Sequence, residues 1–132
     1  MGQLLEQAIT KTGRTPDAVF AGHVHNYQRF TRSLNGRDVP FIVAGAGGYW
    51  NLHYMVKGAD GGKLQTPYTL PELDVTLDNY CDDHHGYMRL EVTAQTLKGE
   101  YFTVPRPQDS WQAAATFFDS FTLDLTTHRL AP

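Results

Sequence analysis

Two imidazoles stand two residues apart in the segment Phe20-Ala21-Gly22-His23-Val24-His25-Asn26-Tyr27-Gln28-Arg29. In extended backbone, residues i and i+2 point to the same side, so His23 and His25 can face one point in space. Gly22, just before them, lets the chain turn and approach a bound group closely. Neutral imidazole is a good ligand for zinc, iron and related ions. A His-x-His pair on its own is more often a surface or packing feature than a ligand set, so the neighbouring residues decide its meaning. His84 and His85, beside Asp82 and Asp83, could add ligands, though that cluster also reads as a solvated loop ahead of a strand. His53 and His128 read as surface or packing residues. Cys81 is the sole cysteine, which excludes an intrachain disulfide and reads as a small buried side chain.

The elements that must position this pair are legible in part. Leu4, Leu5, Ala8 and Ile9 share one face of a helix expected over Gln3 to Thr12, with Gly13 as its stop. Ala18 to Ala21 is a short apolar run, expected to be a strand buried on both faces. It delivers the chain to Gly22. Phe30 to Leu34 and Val39 to Ala44 read as strands joined by a turn at Asn35-Gly36. Gly45-Ala46-Gly47-Gly48 breaks the second strand. Tyr49 to Pro71 shows no period and reads as a long surface loop; its aromatics Tyr49, Trp50, Tyr54 and Tyr68 wall a cleft or pack the loop itself. Gly86 to Thr93 alternates, with Met88, Leu90 and Val92 on one face and Tyr87, Arg89, Glu91 and Thr93 on the other. Thr96 to Val104 is its expected hairpin partner. Trp111 to Phe118 is ambiguous, with room for one helical turn. Ser120 to Leu125 places Phe121, Leu123 and Leu125 on one face.

Composition sets outer bounds. The 132 residues fit one domain, and 41% hydrophobic with 12% aromatic residues reads as folded. A net charge of −3 argues against a nucleic-acid surface, which needs a basic face. No apolar stretch is long enough to span a membrane, no Asn-x-Ser/Thr sequon occurs, and no signal peptide is read at the N-terminus. Nothing in the sequence assigns a compartment.

The pattern Gly22-His23-Val24-His25-x-Tyr27-x-Arg29, closing an apolar strand, resembles the last metal motif of calcineurin-like metallophosphoesterases of the purple acid phosphatase type. The resemblance continues in order along the chain: a helix and strand before the motif, a strand ending in a Gly-rich turn at Phe41 to Gly48, then Gly86-Tyr87-Met88-Arg89-Leu90 and its partner Lys98 to Phe102. It implies an α/β chain: the C-terminal part of a four-layer α-β-β-α metallophosphoesterase sandwich, mostly β-strands with one N-terminal helix. Residues 1–132 would form a single partial domain. The implied activity is hydrolysis of a phosphate ester at a dinuclear centre of Fe, Zn or Mn. His23 would bind one metal and His25 the other, with Gly22, Tyr27 and Arg29 shaping the site. A residue that protonates the leaving group is implied but cannot be assigned.

Two departures from the family stand out. Gln28 occupies a position where purple acid phosphatases usually have Glu. More importantly, the aspartate motifs, the Gly-Asn-His motif and the further upstream His of the family do not occur in this chain. Two metals need roughly four ligands each, so the centre would be partial or absent here. The resulting expectation is a C-terminal fragment, inactive alone, whose exposed sheet faces self-associate or pair with the missing N-terminal portion. The alternative is a non-catalytic β-rich assembly or interaction module that keeps the fold without the activity.

Overall fold

The structure, a computed structural model, describes residues 2–106, 108–110 and 112–131. One helix precedes nine strands. Helix α1 spans Gly2–Thr12. Strands β1 (Val19–Ala21), β2 (Tyr27–Leu34), β3 (Arg37–Ala44), β4 (Tyr68–Leu70) and β5 (Val75–Cys81) build one sheet in the order β1-β3-β2-β5-β4. Strands β6 (Gly86–Val92), β7 (Thr96–Thr103), β8 (Thr116–Asp124) and β9 (Arg129–Leu130) build a second sheet in sequence order. A mostly β architecture with one N-terminal helix is therefore what the chain adopts. Among the described residues, no helix is long and apolar enough to cross a membrane.

Local chemistry explains the hairpins. Asn35 and Gly36 have φ of 52° and 73°, the positive pair that a two-residue turn between twisted strands requires. The β2–β3 ladder runs from Leu34↔Arg37 to Tyr27↔Ala44, so the expected strand at Phe30 begins three residues earlier and includes Tyr27 and Arg29. Strand β1 lies parallel to β3, with Phe20 opposite Ile42. The expected burial of β1 on both faces does not hold. It is an edge strand, and Phe20 is 45% exposed. Helix α1 splits its apolar face: Ile9 is buried and Leu5 half-buried, while Leu4 and Ala8 face solvent. A further tie to the sheet is the ion pair between Glu6 and Arg32.

The two sheets pack face to face. Tyr27, Ile42 and Cys81 from the first meet Leu97, Tyr101, Phe121 and Leu123 from the second. The rings of Tyr27 and Tyr101 stack at 3.9 Å between centroids, and Phe118 meets both edge-on. Phe121 and Leu123 are buried and Leu125 packs against the same core, as the alternation of β8 predicts. Met88 reaches this core from β6, but Leu90 and Val92 on its face are exposed.

Strands β4, β5 and β9 escaped the sequence reading, and β8 is longer than expected. Strand β5 lies in Val-Thr-Leu-Asp-Asn-Tyr-Cys, where polar residues obscure the period. Strand β4 lies inside the stretch expected to be loop. Strand β8 starts at Thr116, so the end of the ambiguous stretch is strand; Trp111, at its start, lies outside the described residues.

Candidate metal loop and the buried tie behind it

The backbone carries the motif out of β1, through an exposed loop at residues 22–25, and back into β2 at Tyr27. Gly22, His23 and Val24 are exposed and His25 is half-buried. The loop lies against the end of β3, where Gly45 makes room for it: a Cβ at position 45 would collide with the carbonyl oxygens of Val24 and Gly22. The Gly45 amide donates to the Asn26 carbonyl at 3.0 Å, which closes the contact. The Gly-rich break after β3 is thus the seat of the histidine loop.

Residues 49–53 form the other wall. The His25 Nδ1 lies 3.2 Å from the Asn51 carbonyl oxygen. A carbonyl can only accept, so Nδ1 donates and the Nε2 lone pair is left available, the tautomer that a metal-ligating histidine uses. His53 stacks on the His25 ring at 4.5 Å between centroids, and Tyr49 packs against the same His25 ring at 4.2 Å. The His53 Nδ1 accepts the His25 backbone N–H at 3.2 Å, and the His53 N–H donates to the His25 carbonyl at 3.0 Å. His53 is therefore a packing partner with a specific task, orienting His25.

Asn26, 1% exposed, pins the two walls together. Its amide donates to the His53 carbonyl, and its Oδ1 accepts from the Gln28 amide, both at 2.8 Å. Glutamine at position 28 can donate to Asn26, whereas an ionised glutamate can only accept. Sequence reading passed over Asn26 because one buried amide among loop residues carries no periodic signal.

Tyr27 and Arg29 point away from the loop, into the space between the sheets. The Tyr27 hydroxyl donates to Asp119 Oδ2 at 2.8 Å. Arg29 grips the same carboxylate with two bonds, at 2.8 and 3.1 Å, and lies 3.4 Å from Asp78. Burial works against the Arg29 charge, yet the bond to Asp119 and the charges of Asp119 and Asp78 hold its pKa above the ordinary value. Burial, then the negative charge and the bond of Asp119, push the Tyr27 hydroxyl upward. Two register shifts assemble this tie. One, between Arg29 and Phe30, leaves Asp78 as an extra residue on β5; the other, between Tyr101 and Phe102, leaves Phe118 extra on β8. A bulge lets neighbouring residues serve one face, here Asp78 beside Asn79 and Phe118 beside Asp119. Tyr27 and Arg29, expected to shape the site, join the two sheets behind the loop that carries His23 and His25.

The remaining histidines bond other groups. The His85 Nε2 bonds the Tyr49 carbonyl at 2.9 Å, and the His84 Nδ1 meets Asp83 at 2.9 Å. The His128 Nδ1 lies 3.1 Å from Asp17 Oδ1 without an aligned hydrogen bond. Among the described residues, the group of three or more His, Cys, Asp and Glu ligand atoms gathered closely enough for one ion is Cys81, Asp83 and His84, not a set built on His23 and His25. No family model, no curated protein and no solved structure matches this chain.

Proposed function

We propose that this chain is the C-terminal portion of a metal-dependent phosphoric ester hydrolase of the calcineurin-like, purple acid phosphatase type. His23 and His25 would be its contribution to a dinuclear centre. The observation that carries the reading is the His25 ring, held by the Asn51 carbonyl in the tautomer that leaves Nε2 open for a metal, on an exposed loop at the end of a parallel strand. Ligand sites in α/β folds favour that strand end. The donor types fit Fe, Zn or Mn; the donor number fits one protein ligand per metal. Such a centre, when complete, supplies a metal-activated hydroxide and offsets charge on the phosphoryl group. The residues of this chain orient His25 through Asn51, His53 and Tyr49, and brace the loop through Asn26 and Gly45.

The exposed edge at Phe20 and the exposed apolar side chains Leu90 and Val92 favour a further sheet or a second copy covering these surfaces. The second reading, an assembly module without activity, draws on the same surfaces. One experiment separates the two. Hydrolysis of an aryl phosphate is measured with Mn, Zn or Fe, for the chain alone and for the chain joined to the in-frame upstream coding sequence. The longer protein is expected to turn over and the 132-residue chain is not. His23→Ala and His25→Ala should each abolish the activity of the longer protein. Full activity in both variants would sink the role of His23 and His25 in the metal centre; an inactive longer protein would sink the phosphoesterase reading, and one that still self-associates would favour the module.

A further inference from the structure

We propose that Cys81, Asp83 and His84 form a second metal site, of the zinc class, at the crossover that takes the chain from β5 in one sheet to β6 in the other. It is separate from the His23/His25 loop and stands whether or not the phosphoesterase reading does. The Cys81 Sγ, an Asp83 carboxylate oxygen and a His84 ring nitrogen lie within 4.8 Å of one another. Tetrahedral zinc, with bonds of about 2.0–2.3 Å, spaces its ligand atoms about 3.3–3.8 Å apart. Small side-chain rotations close that gap. Mixed sulfur, nitrogen and oxygen donors select zinc-like ions over magnesium or calcium.

One oxygen already collects the donors. Asp83 Oδ1 accepts the Cys81 thiol at 3.4 Å and the His84 Nδ1 at 2.9 Å. An ion seated among the three replaces these two hydrogen bonds. The thiol proton leaves to solvent and the His84 ring proton moves to Nε2, so one proton is released per ion. Lys63 sits on the far side of the carboxylate, its Nζ 3.9 Å from Asp83 Oδ2 and 3.9 Å from Asp82 Oδ1. Arg106 bonds the Asp83 carbonyl at 3.3 Å. These cations oppose a divalent ion, and the thiolate formed on binding offsets them.

A second observation comes from the opposite sheet. Tyr101 is wholly buried, and its hydroxyl has no hydrogen-bond partner. It shares a core cluster with Cys81, and its oxygen points at the backbone of Gly86, two residues past His84, where a Cβ would collide with it. An orphaned buried hydroxyl costs about 1–3 kcal/mol. Water carried by an ion at the crossover would be one partner for that hydroxyl. Entry is open, because Asp83 lines a surface depression with Trp50, Tyr54, His85 and Arg106.

Cobalt(II) titration of the full chain tests the site. A thiolate-to-cobalt absorption band in the near ultraviolet is expected, saturating at one ion per chain. It should vanish in Cys81→Ser, and its midpoint should rise about 10-fold or more in His84→Ala and Asp83→Ala. It should be unchanged in the His23→Ala/His25→Ala double variant, which keeps the two metal proposals distinguishable. His84 is partly exposed, so its truncation leaves the fold intact and is the decisive variant. The proposal is overturned by the absence of a thiolate band, or by a band whose midpoint in His84→Ala and Asp83→Ala equals that of the parent chain.

Discussion

Residues 22–25 and residues 26–29 are neighbours in sequence and opposites in environment. The first four are exposed or half-buried, and the His25 ring meets a backbone carbonyl. The second four contain Asn26 and Tyr27, both nearly inaccessible, and Arg29, gripped by a carboxylate from the other sheet. A motif that reads as one chemical unit therefore divides into an exposed pair of metal-ligand candidates and a buried anchor. Buried polar groups demand partners and are costly when deprived of them; exposed ones are not. The two halves should respond to mutation by different amounts.

The largest effect is expected at the anchor. Asp119→Ala removes the shared acceptor of Tyr27 and Arg29, leaving a half-buried guanidinium with only Asp78 nearby and a buried tyrosine hydroxyl without its partner. A loss of about 3–5 kcal/mol is expected in urea unfolding. A loss below about 1 kcal/mol would mean that the tie does not hold the sheets together.

Gly45→Ala comes next and reaches the exposed half through its seat. The added Cβ meets backbone oxygens that cannot rotate away. A cost of about 1–3 kcal/mol is expected, together with broadened His23 and His25 ring signals in proton NMR. Sharp, unshifted signals would detach the loop from β3. Gln28→Glu probes the boundary between the halves. It places an acceptor against Asn26 Oδ1, and about 1 kcal/mol of stability should be lost near neutral pH; a more stable variant would remove the explanation for glutamine at this position.

Asp78 gives a smaller effect that depends on pH. Burial raises its pKa, opposed by the Thr31 hydrogen bond and by Arg29. A carboxyl with a raised folded pKa adds stability below its unfolded value, and that stability is lost as pH rises through the folded value. Asp78→Asn should therefore lose this component. Relative to the parent, it should fare better at pH about 7 than at pH about 4, compared by urea midpoints. The reverse order would show that Arg29 outweighs burial. The smallest effect belongs to His23→Ala, whose exposed ring should change stability by less than about 0.5 kcal/mol. A larger loss would erase the contrast between the halves.

What the sequence determined by itself is local. Asn35-Gly36 demands a hairpin because few residue pairs accept two positive φ values. The alternation in Gly86 to Thr103 and Ser120 to Leu125 requires strands with one apolar face, and those strands form. The spacing of His23 and His25 marks a candidate ligand pair before any fold is known. Other features only the tertiary structure decided. Strand β5 carries Asp78 in its middle, and a bulge there leaves it as an extra residue that meets Thr31 and Arg29. Asp119, 90 residues beyond Arg29, has no sequence signal as its partner. His53 reaches His25 only because a long loop folds back on the motif. Periodicity reports which face of an element is apolar; it carries no information about which distant polar group will arrive to satisfy a buried donor. That information exists only once the two sheets have closed on each other.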